Sequence, residues 1–328
     1  MTNASRSLLV YTVLLPLTLL LLLLQIGTGE YAISIGDTFA SLLGYGTGEY
    51  DFVIRTLRVP RALIGWLAGA SLAVAGTLLQ GITRNPLASP GVVGLNAGAG
   101  LAAVIVIVWL DVSRDWLPVF AFAGALIVAA LSYALAWRRG VSTIRMVLIG
   151  IGIAFVCDAV ISIALLDGNI RKVNQATIWM VGSLYERSWE HFWPLLPWAV
   201  VFLPLAWLGA RSLDVLALGD ETSTGLGNRI HRSRTWLLFV AVALAGSTVA
   251  TVGTIGFVGL MAPHLARRLV GTRHRMLIPI AALLGGIIVL AADFAGRTLL
   301  APTEIPCGLL TAILGGPYMV YLLLRDPR

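Results

Sequence analysis

Long apolar segments recur along the whole chain. The first covers residues 8–24, and eight more follow at 60–81, 92–110, 116–137, 144–166, 192–209, 235–252, 276–296 and 306–324. Each approaches the roughly 20 residues that a helix needs to cross about 30 Å of hydrocarbon. Only 12% of the residues are charged, whereas a soluble domain carries about 25%. The sequence therefore predicts an all-α polytopic membrane protein and excludes disordered, collagen-like and disulfide-stapled classes.

A tenth, shorter apolar stretch at 257–269 carries Pro263 and His264. Short interrupted helices are tolerated in a membrane when other protein buries them, so we count this stretch as a half-length crossing. Ten crossings place both termini and most of the 23 cationic residues on the cytoplasmic side, as the positive-inside rule requires. We predict one transmembrane domain over 1–328, with the first helix retained rather than cleaved as a secretory signal.

The chain contains a single lysine, Lys172, which lies between Arg171 and Val173. A P-loop ATPase needs a Gly-Lys-Ser/Thr unit whose lysine reaches the nucleotide phosphates. The sequence therefore predicts no ATP site in this chain, and a separate subunit must hydrolyse ATP if ATP drives the protein. The net charge of +7 comes without a long basic cluster, so membrane topology explains it better than a nucleic-acid partner.

Residue types that carry covalent chemistry are sparse. The four histidines lack metal-ligand spacing, and His264 is expected to be a hydrogen-bonded structural residue. Cys157 and Cys307 lie in apolar segments and are interpreted as packing residues. We predict no catalytic residue, no metal site and no enzymatic activity, with an intramembrane enzyme as the disfavoured alternative.

Two acidic residues, Asp158 and Asp293, lie inside the apolar spans. Intramembrane carboxylates often mark ion pathways, so an ion-coupled secondary transporter is an alternative interpretation. Asp293 lies four residues before Arg297, however, and an i,i+4 ion pair is the simpler explanation for it.

Three polar segments at the ends of the spans are candidate functional sites. Arg58 and Arg61 flank a proline just outside the second helix and, with Arg297, are expected to be external arginines exposed to an acidic partner; ordinary interfacial arginines are the alternative. The two-proline turn at 84–91 is either a structural turn or a cytoplasmic gate. The segment 213–234 is predicted to form two short helices broken at glycine, either as a cytoplasmic docking surface or as a plain connector.

Five stretches resemble the FecCD/BtuC-type permease subunits of bacterial ABC importers for iron–siderophore, haem and vitamin B12. They are LRVPRALIGWLAGASLAVAGTLLQGITRNPLASPGVVGLNAGAG (57–100), STIRMVLIGIGIA (142–154), LALGDETSTGLG (216–227), GTIGFVGLMAPHLARRLVG (253–271) and ADFAGRTLLAPTEIPCGLLTAILGGPYMVYLLLR (292–325). Within the family, LDVLALGDETSTGLG and WMVGSLYERSW (179–189) look most like the ferric-citrate-type subunit. The resemblance implies the type II ABC importer permease fold.

The resemblance also implies roles for individual residues. Those that would pair with glutamates of a substrate-binding protein are Arg58, Arg61 and Arg297. Those that would form the cytoplasmic gate are Asn85, Leu87, Ser142 and Thr143. Those that would couple the chain to the ATPase are Leu218, Gly219, Asp220, Glu221, Gly225, Leu226 and Gly227.

The protein implied by the resemblance is a permease subunit of the bacterial cytoplasmic membrane that imports a ferric siderophore, with haem or vitamin B12 as the alternative cargo. Its implied partners are a second permease chain, as a homodimer or a paralogous heterodimer, two ATP-binding subunits and a periplasmic or lipid-anchored substrate-binding protein. Membrane lipid surrounds it, and no nucleic acid is expected. The chain itself is expected to hold no cofactor, since the ATPase would bind ATP and Mg²⁺.

Overall fold

The computed structural model describes residues 3–29, 33–45, 48, 50–110, 112–136 and 143–325. This part of the chain consists of helices joined by turns and short connections, and it contains no strand. Its α-helices are α1 Asn3–Gly27, α2 Ile35–Leu43, α3 Val59–Thr83, α4 Leu95–Val108, α5 Leu117–Ala136, α6 Thr143–Asp167, α7 Ile170–Val181, α8 Trp189–Leu208, α9 Ala210–Ala217, α10 Asp220–Gly225, α11 Ile230–Val252, α12 Val258–Val270, α13 His274–Thr298 and α14 Cys307–Arg325. A π-helical turn, Phe52–Arg58, leads directly into α3.

Seven helical segments in the described ranges are long and apolar enough to cross a membrane, and they lie in α1, α3, α5, α6, α8, α11 and α13. Two shorter apolar helices, Leu95–Val108 and Cys307–Leu322, supply further crossings. The remaining one is α12, which has 13 residues and Pro263 inside it. These helices account for the ten predicted crossings, including the short one, and the predicted all-α polytopic fold is confirmed.

Helices α3 and α11 form the centre of the bundle. In the 18-residue apolar stretch of each span, 89% of the residues are buried in α3 and 83% in α11, but only 22% in α1, α6 and α8. Helix α3 packs against α13, α11, α12 and α8. Glycine permits this close approach, because a methyl group added at Gly69 would overlap the carbonyl oxygen of Gly285, and one added at Gly76 would overlap that of Gly259.

Two helices outside the membrane spans cannot be predicted from apolar runs in the sequence. Helix α2 begins after Ser34, whose hydroxyl accepts a hydrogen bond from the Asp37 N–H, and α7 begins after Asn169, whose side chain caps the Lys172 N–H. Both are short and amphipathic, so they produce no run of about 20 apolar residues. Their N-caps are the usual serine and asparagine signals for a helix start.

Candidate functional site

The outer end of the bundle holds a buried ion-pair cluster centred on Arg61, in the first turn of α3. Its guanidinium lies 2.8 Å from the Asp293 carboxylate and 2.9 Å from that of Glu304, and it donates two hydrogen bonds to each. Arg297 adds a second cation, with Nε 3.5 Å from Asp293 Oδ2. The i,i+4 pair predicted between Asp293 and Arg297 is therefore confirmed.

Two arginines also bind the C-terminal end of α1 to this cluster. Arg58 donates to the carbonyl oxygens of Ile26 at 3.0 Å and Gly27 at 3.1 Å, and Arg297 donates to that of Gln25 at 3.2 Å. The last carbonyls of a helix have no partner within it, and cations are favoured beside them. The two arginines therefore cap α1.

The structure brings Arg58, Arg61 and Arg297 together but corrects the expectation that they are exposed. The side chain of Arg61 is 13% exposed and that of Arg297 is 9% exposed, and Arg58 is buried. The physical reason is that Asp293, Glu304 and the end of α1 compensate these charges inside the chain. Their role in docking a binding protein stays a prediction.

The cytoplasmic end of α3 leads into a tight turn that contains two of the predicted gate residues. Arg84 ends the helix in the left-handed region, with φ of 51°. The Asn85 side chain then accepts a hydrogen bond from the Leu87 N–H at 2.9 Å, and Leu87 is 38% exposed. Ser142 and the Thr143 side chain lie outside the described residues. The gate assignment stays a prediction.

The turn at 84–91 and the residues just after it pack against helices α12 and α6. A methyl group added at Gly259, in α12, would lie 3.2 Å from Pro90 Cδ, and one added at Gly94 would lie 3.0 Å from the Gly150 carbonyl oxygen of α6. The turn therefore packs closely against α12, and Gly94, three residues after it, packs closely against α6.

The segment 213–234 contains the predicted pair of short helices. Helix α9 ends at Ala217, α10 begins at Asp220, and Gly219 between them has φ of 100°, a conformation that favours glycine. Leu218 is 59% exposed and Leu226 is 63% exposed. The helices therefore present apolar side chains to the cytoplasm, although the coupling role of these residues, with Glu221, Gly225 and Gly227, stays a prediction.

Helix α9 is anchored to the cytoplasmic end of the core. The Asp214 carboxylate accepts hydrogen bonds from the His274 N–H at 2.9 Å and lies 2.7 Å from His274 Nδ1. Leu213 is fully buried and packs beside Gly81, near the end of α3. Helix α9 is therefore held to the cytoplasmic ends of both α3 and α13.

Asp220, at the start of α10, joins three elements through one carboxylate. Arg84 of the turn lies 2.7 Å from it, and Arg234 of α11 binds both of its oxygens at 2.8 and 3.1 Å. The Arg234 side chain is only 8% exposed. Sequence reasoning missed this junction because Arg84 is 136 residues away from Asp220.

The described residues contain no group of three His, Cys, Asp or Glu side chains placed to hold a metal ion. His264 packs edge-on against Tyr318 with ring centroids 5.9 Å apart, and Cys157 and Cys307 are buried free thiols. Among the described residues, the two largest ion-pair clusters lie at the ends of the bundle, in the outer arginine cluster and at the cytoplasmic junction.

A helical bundle with ten apolar crossings, a polar cluster at its outer end and two short helices at its inner end is the architecture of a multi-pass membrane protein. The sequence model of the FecCD transport family matches residues 17–325, and the chain belongs to this family.

Individual relatives agree with that assignment over their whole lengths. The chain is 44% identical to the Fe(3+)-citrate import system permease protein YfmE of Bacillus subtilis (strain 168), covering 98% of this chain and 97% of that one. It is 40% identical to the iron(3+)-hydroxamate import system permease protein FhuG of the same organism, covering 99% of each. A solved metal-chelate type ABC transporter in an inward-facing conformation matches with a TM-score of 0.87 at 27% identity, covering 97% of this chain and 99% of that one.

Proposed function

We propose that this chain is the permease subunit of an ABC importer that carries a ferric siderophore across the bacterial cytoplasmic membrane. The observation that carries the proposal is the full-length similarity to permeases named for ferric citrate and ferric hydroxamate. The resemblance of segments 179–189 and 213–227 to the ferric-citrate-type subunit favours ferric citrate as cargo. Haem and vitamin B12 are the competing cargoes within the family.

A second permease chain would complete the path. Helices α6 and α14 expose large apolar side chains, including Phe155 and Ile313, at 71% and 63%. Asp158 is exposed on the same helix as Phe155, and a carboxylate within a span normally faces protein or water rather than hydrocarbon. The exposed face of α6 therefore suits a water-filled path between two permease chains, in a homodimer or a paralogous heterodimer.

At the outer end, a substrate-binding protein would deliver the chelate through carboxylates that bind the arginine cluster. Because Arg61 already holds Asp293 and Glu304, an incoming glutamate must compete with the more accessible of the two. Glu304 is that residue, since its side chain is 23% exposed and that of Asp293 is 4% exposed. Docking would thus exchange an internal ion pair for an external one.

At the inner end, α9 and α10 would dock on a separate ATPase subunit. Movement of α10 reaches the turn at Asn85 and Leu87 through the bond between Asp220 and Arg84. ATP and Mg²⁺ would be bound by the ATPase. In this chain the one lysine, Lys172, instead donates to the Val108 carbonyl oxygen at 3.1 Å.

The proposal is tested in proteoliposomes that contain the permease, its ATPase and its binding protein. We expect ATP-dependent uptake of radiolabelled ferric citrate or ferric hydroxamate and weaker uptake of hemin and cyanocobalamin. Uptake of hemin or cyanocobalamin without uptake of a ferric chelate would contradict the proposed cargo. Omission of the ATPase is the matched control.

An ion-coupled carrier predicts a different result in the same vesicles. It requires uptake driven by an ion gradient without ATP, and loss of that uptake in Asp158→Asn or Asp293→Asn. The structure favours the ABC importer, because Asp293 is neutralised by Arg61 and Arg297 and is not a free carboxylate. Gradient-driven uptake without ATP would reverse this preference.

A further inference from the structure

An apolar crevice of about 520 Å³ lies between α1, α3, α8 and α13. Its walls include Leu15, Trp66, Leu203, Trp207 and Leu283. Leu15 is 49% exposed and Trp207 is 38% exposed, so the crevice opens on the outside of the bundle. In a membrane protein that side faces lipid, and an apolar crevice there has no water to hold.

The crevice lies at the depth of the cytoplasmic leaflet. Its wall on α13 runs from Ile278 to Leu283, within the half of the helix that begins at the cytoplasmic side. Its deepest indole, Trp66, packs against Gly286, which is close to the middle of α13. The crevice thus runs from the cytoplasmic edge of the membrane to about its midplane.

The cation at the cytoplasmic opening of the crevice is Arg275. Pro279 has no N–H, so the carbonyl of Arg275, four residues earlier, has no helical donor. The Trp207 indole N–H donates to that carbonyl at 3.0 Å. The exposed Arg275 guanidinium lies over the same indole, with its central carbon 5.3 Å from the ring centroid. This is a cation–π interaction. The proline therefore fixes the tryptophan, and the tryptophan fixes the arginine.

We propose that this crevice binds one anionic phospholipid of the cytoplasmic leaflet. An acyl chain would lie along Leu15, Leu203 and Leu283, and the headgroup phosphate would bind Arg275, since guanidinium and phosphate form strong charge-assisted hydrogen bonds. An anionic headgroup is favoured over a zwitterionic one, because the ammonium group of phosphatidylcholine would repel Arg275 and offset the attraction of the phosphate. The crevice is separate from the exposed faces of α6 and α14 assigned to a second permease chain. The proposal therefore does not depend on the cargo or on the partners of the permease.

The test is native mass spectrometry of the purified full-length chain in detergent, titrated with phosphatidylglycerol and, separately, with phosphatidylcholine. We expect one phosphatidylglycerol to bind in preference to phosphatidylcholine. Arg275→Gln should weaken phosphatidylglycerol binding roughly tenfold, the usual scale for a hydrogen-bonded charge. Ala282→Phe, which fills the crevice wall, should also displace the lipid.

Two variants serve as matched controls. Arg273→Gln removes the same charge from an exposed position two residues away, and Ala130→Phe adds the same ring to an exposed position on α5. Both should bind phosphatidylglycerol like the wild type. The proposal is overturned if Arg275→Gln and Arg273→Gln bind it equally, if phosphatidylcholine binds as tightly, or if a second protein chain occupies the crevice in place of lipid.

Discussion

Asp293 shows how one buried carboxylate organises the outer end of the bundle. Its side chain is 4% exposed, and it is held by Arg61 at 2.8 Å and by Arg297 at 3.5 Å. A lone charge inside a membrane protein is costly, and pairing removes most of that cost. We interpret Asp293 as a structural anion that keeps α3 and α13 together.

Removal of the Arg61 charge should therefore destabilise the fold. Arg61→Met leaves Asp293 with only the longer contact to Arg297, and loss of one partner from a buried pair typically costs about 3–5 kcal/mol. Thermal unfolding of the purified protein in detergent measures the effect. Glu304→Gln is the comparison, since Glu304 is more exposed; an equal loss in both variants would contradict the central role of Asp293.

Glu304 gives a second prediction, for docking. If Glu304 competes with the carboxylates of the binding protein for Arg61, Glu304→Gln should tighten docking several-fold, as measured by surface plasmon resonance with the permease in nanodiscs. Glu190→Gln removes the same charge from an exposed position in the first turn of α8 and should leave docking unchanged. Weaker docking in Glu304→Gln would show that Glu304 aids the interaction.

The sequence predicts only part of this cluster. The Asp293–Arg297 pair follows from helical spacing, but Arg61 and Glu304 are 243 residues apart, and only the packing of α3 against α13 brings them together. Three arginines predicted at the outer end of the bundle do not reveal whether they face a partner or a carboxylate of their own chain. That distinction depends on tertiary structure.

At the scale of elements, glycine contacts fix how closely α3 can pack. A methyl group at Gly76 would overlap the Gly259 carbonyl oxygen of α12, so α3 and α12 must separate to admit it. We expect Gly76→Ala to lower stability by about 1–3 kcal/mol, measured as the unfolding midpoint in detergent.

Gly100→Ala is the control for that substitution. Gly100 also lies inside a helix, but the nearest atom to an added methyl is Ile161 Cδ1 at 3.8 Å, an ordinary contact. Alanine also favours helix by up to about 1 kcal/mol over glycine, so this variant should be neutral or stabilised. Equal destabilisation of both variants would show that the α3–α12 approach is not special.

The cytoplasmic junction makes a prediction about coupling. Asp220→Asn removes the negative charge that binds both Arg84 and Arg234. A movement of α10 should then no longer move the turn that follows α3. We expect iron uptake per ATP hydrolysed to fall several-fold in proteoliposomes, while the ATPase subunit still assembles. Arg232→Gln, at an exposed position in α11, is the control. An unchanged ratio in Asp220→Asn would remove Asp220 from the coupling path.

At the scale of the whole molecule, the orientation can be tested with two introduced cysteines. Thr224 and Ser113 are both exposed, the first in α10 and the second between α4 and α5. In a variant with Cys157 and Cys307 replaced by serine, a membrane-impermeant maleimide should label Thr224→Cys from the cytoplasmic side and Ser113→Cys from the outer side. Labelling of both from one side would contradict the ten-crossing topology.

The crossings were predictable because each one needs a long apolar run, and the positions of the arginines decide between nine and ten. The short crossing α12 was identified from its length and from Pro263. Helices such as α7 were not, because they are stabilised by caps and by packing rather than by hydrophobic length. The same holds for the junction at Asp220, whose partners come from three separate elements.

Helix α3 connects the outer and the cytoplasmic polar clusters. It begins beside the outer arginine cluster, ends at Arg84 next to the cytoplasmic junction, and contains 25 residues without interruption, or about 37 Å at 1.5 Å per residue. Nearly all of its residues from Ala62 onward are buried, so it has little freedom to bend. We therefore expect it to move as a rigid rod: if a binding protein displaces its outer end, the turn at its inner end should be displaced without any helix unwinding.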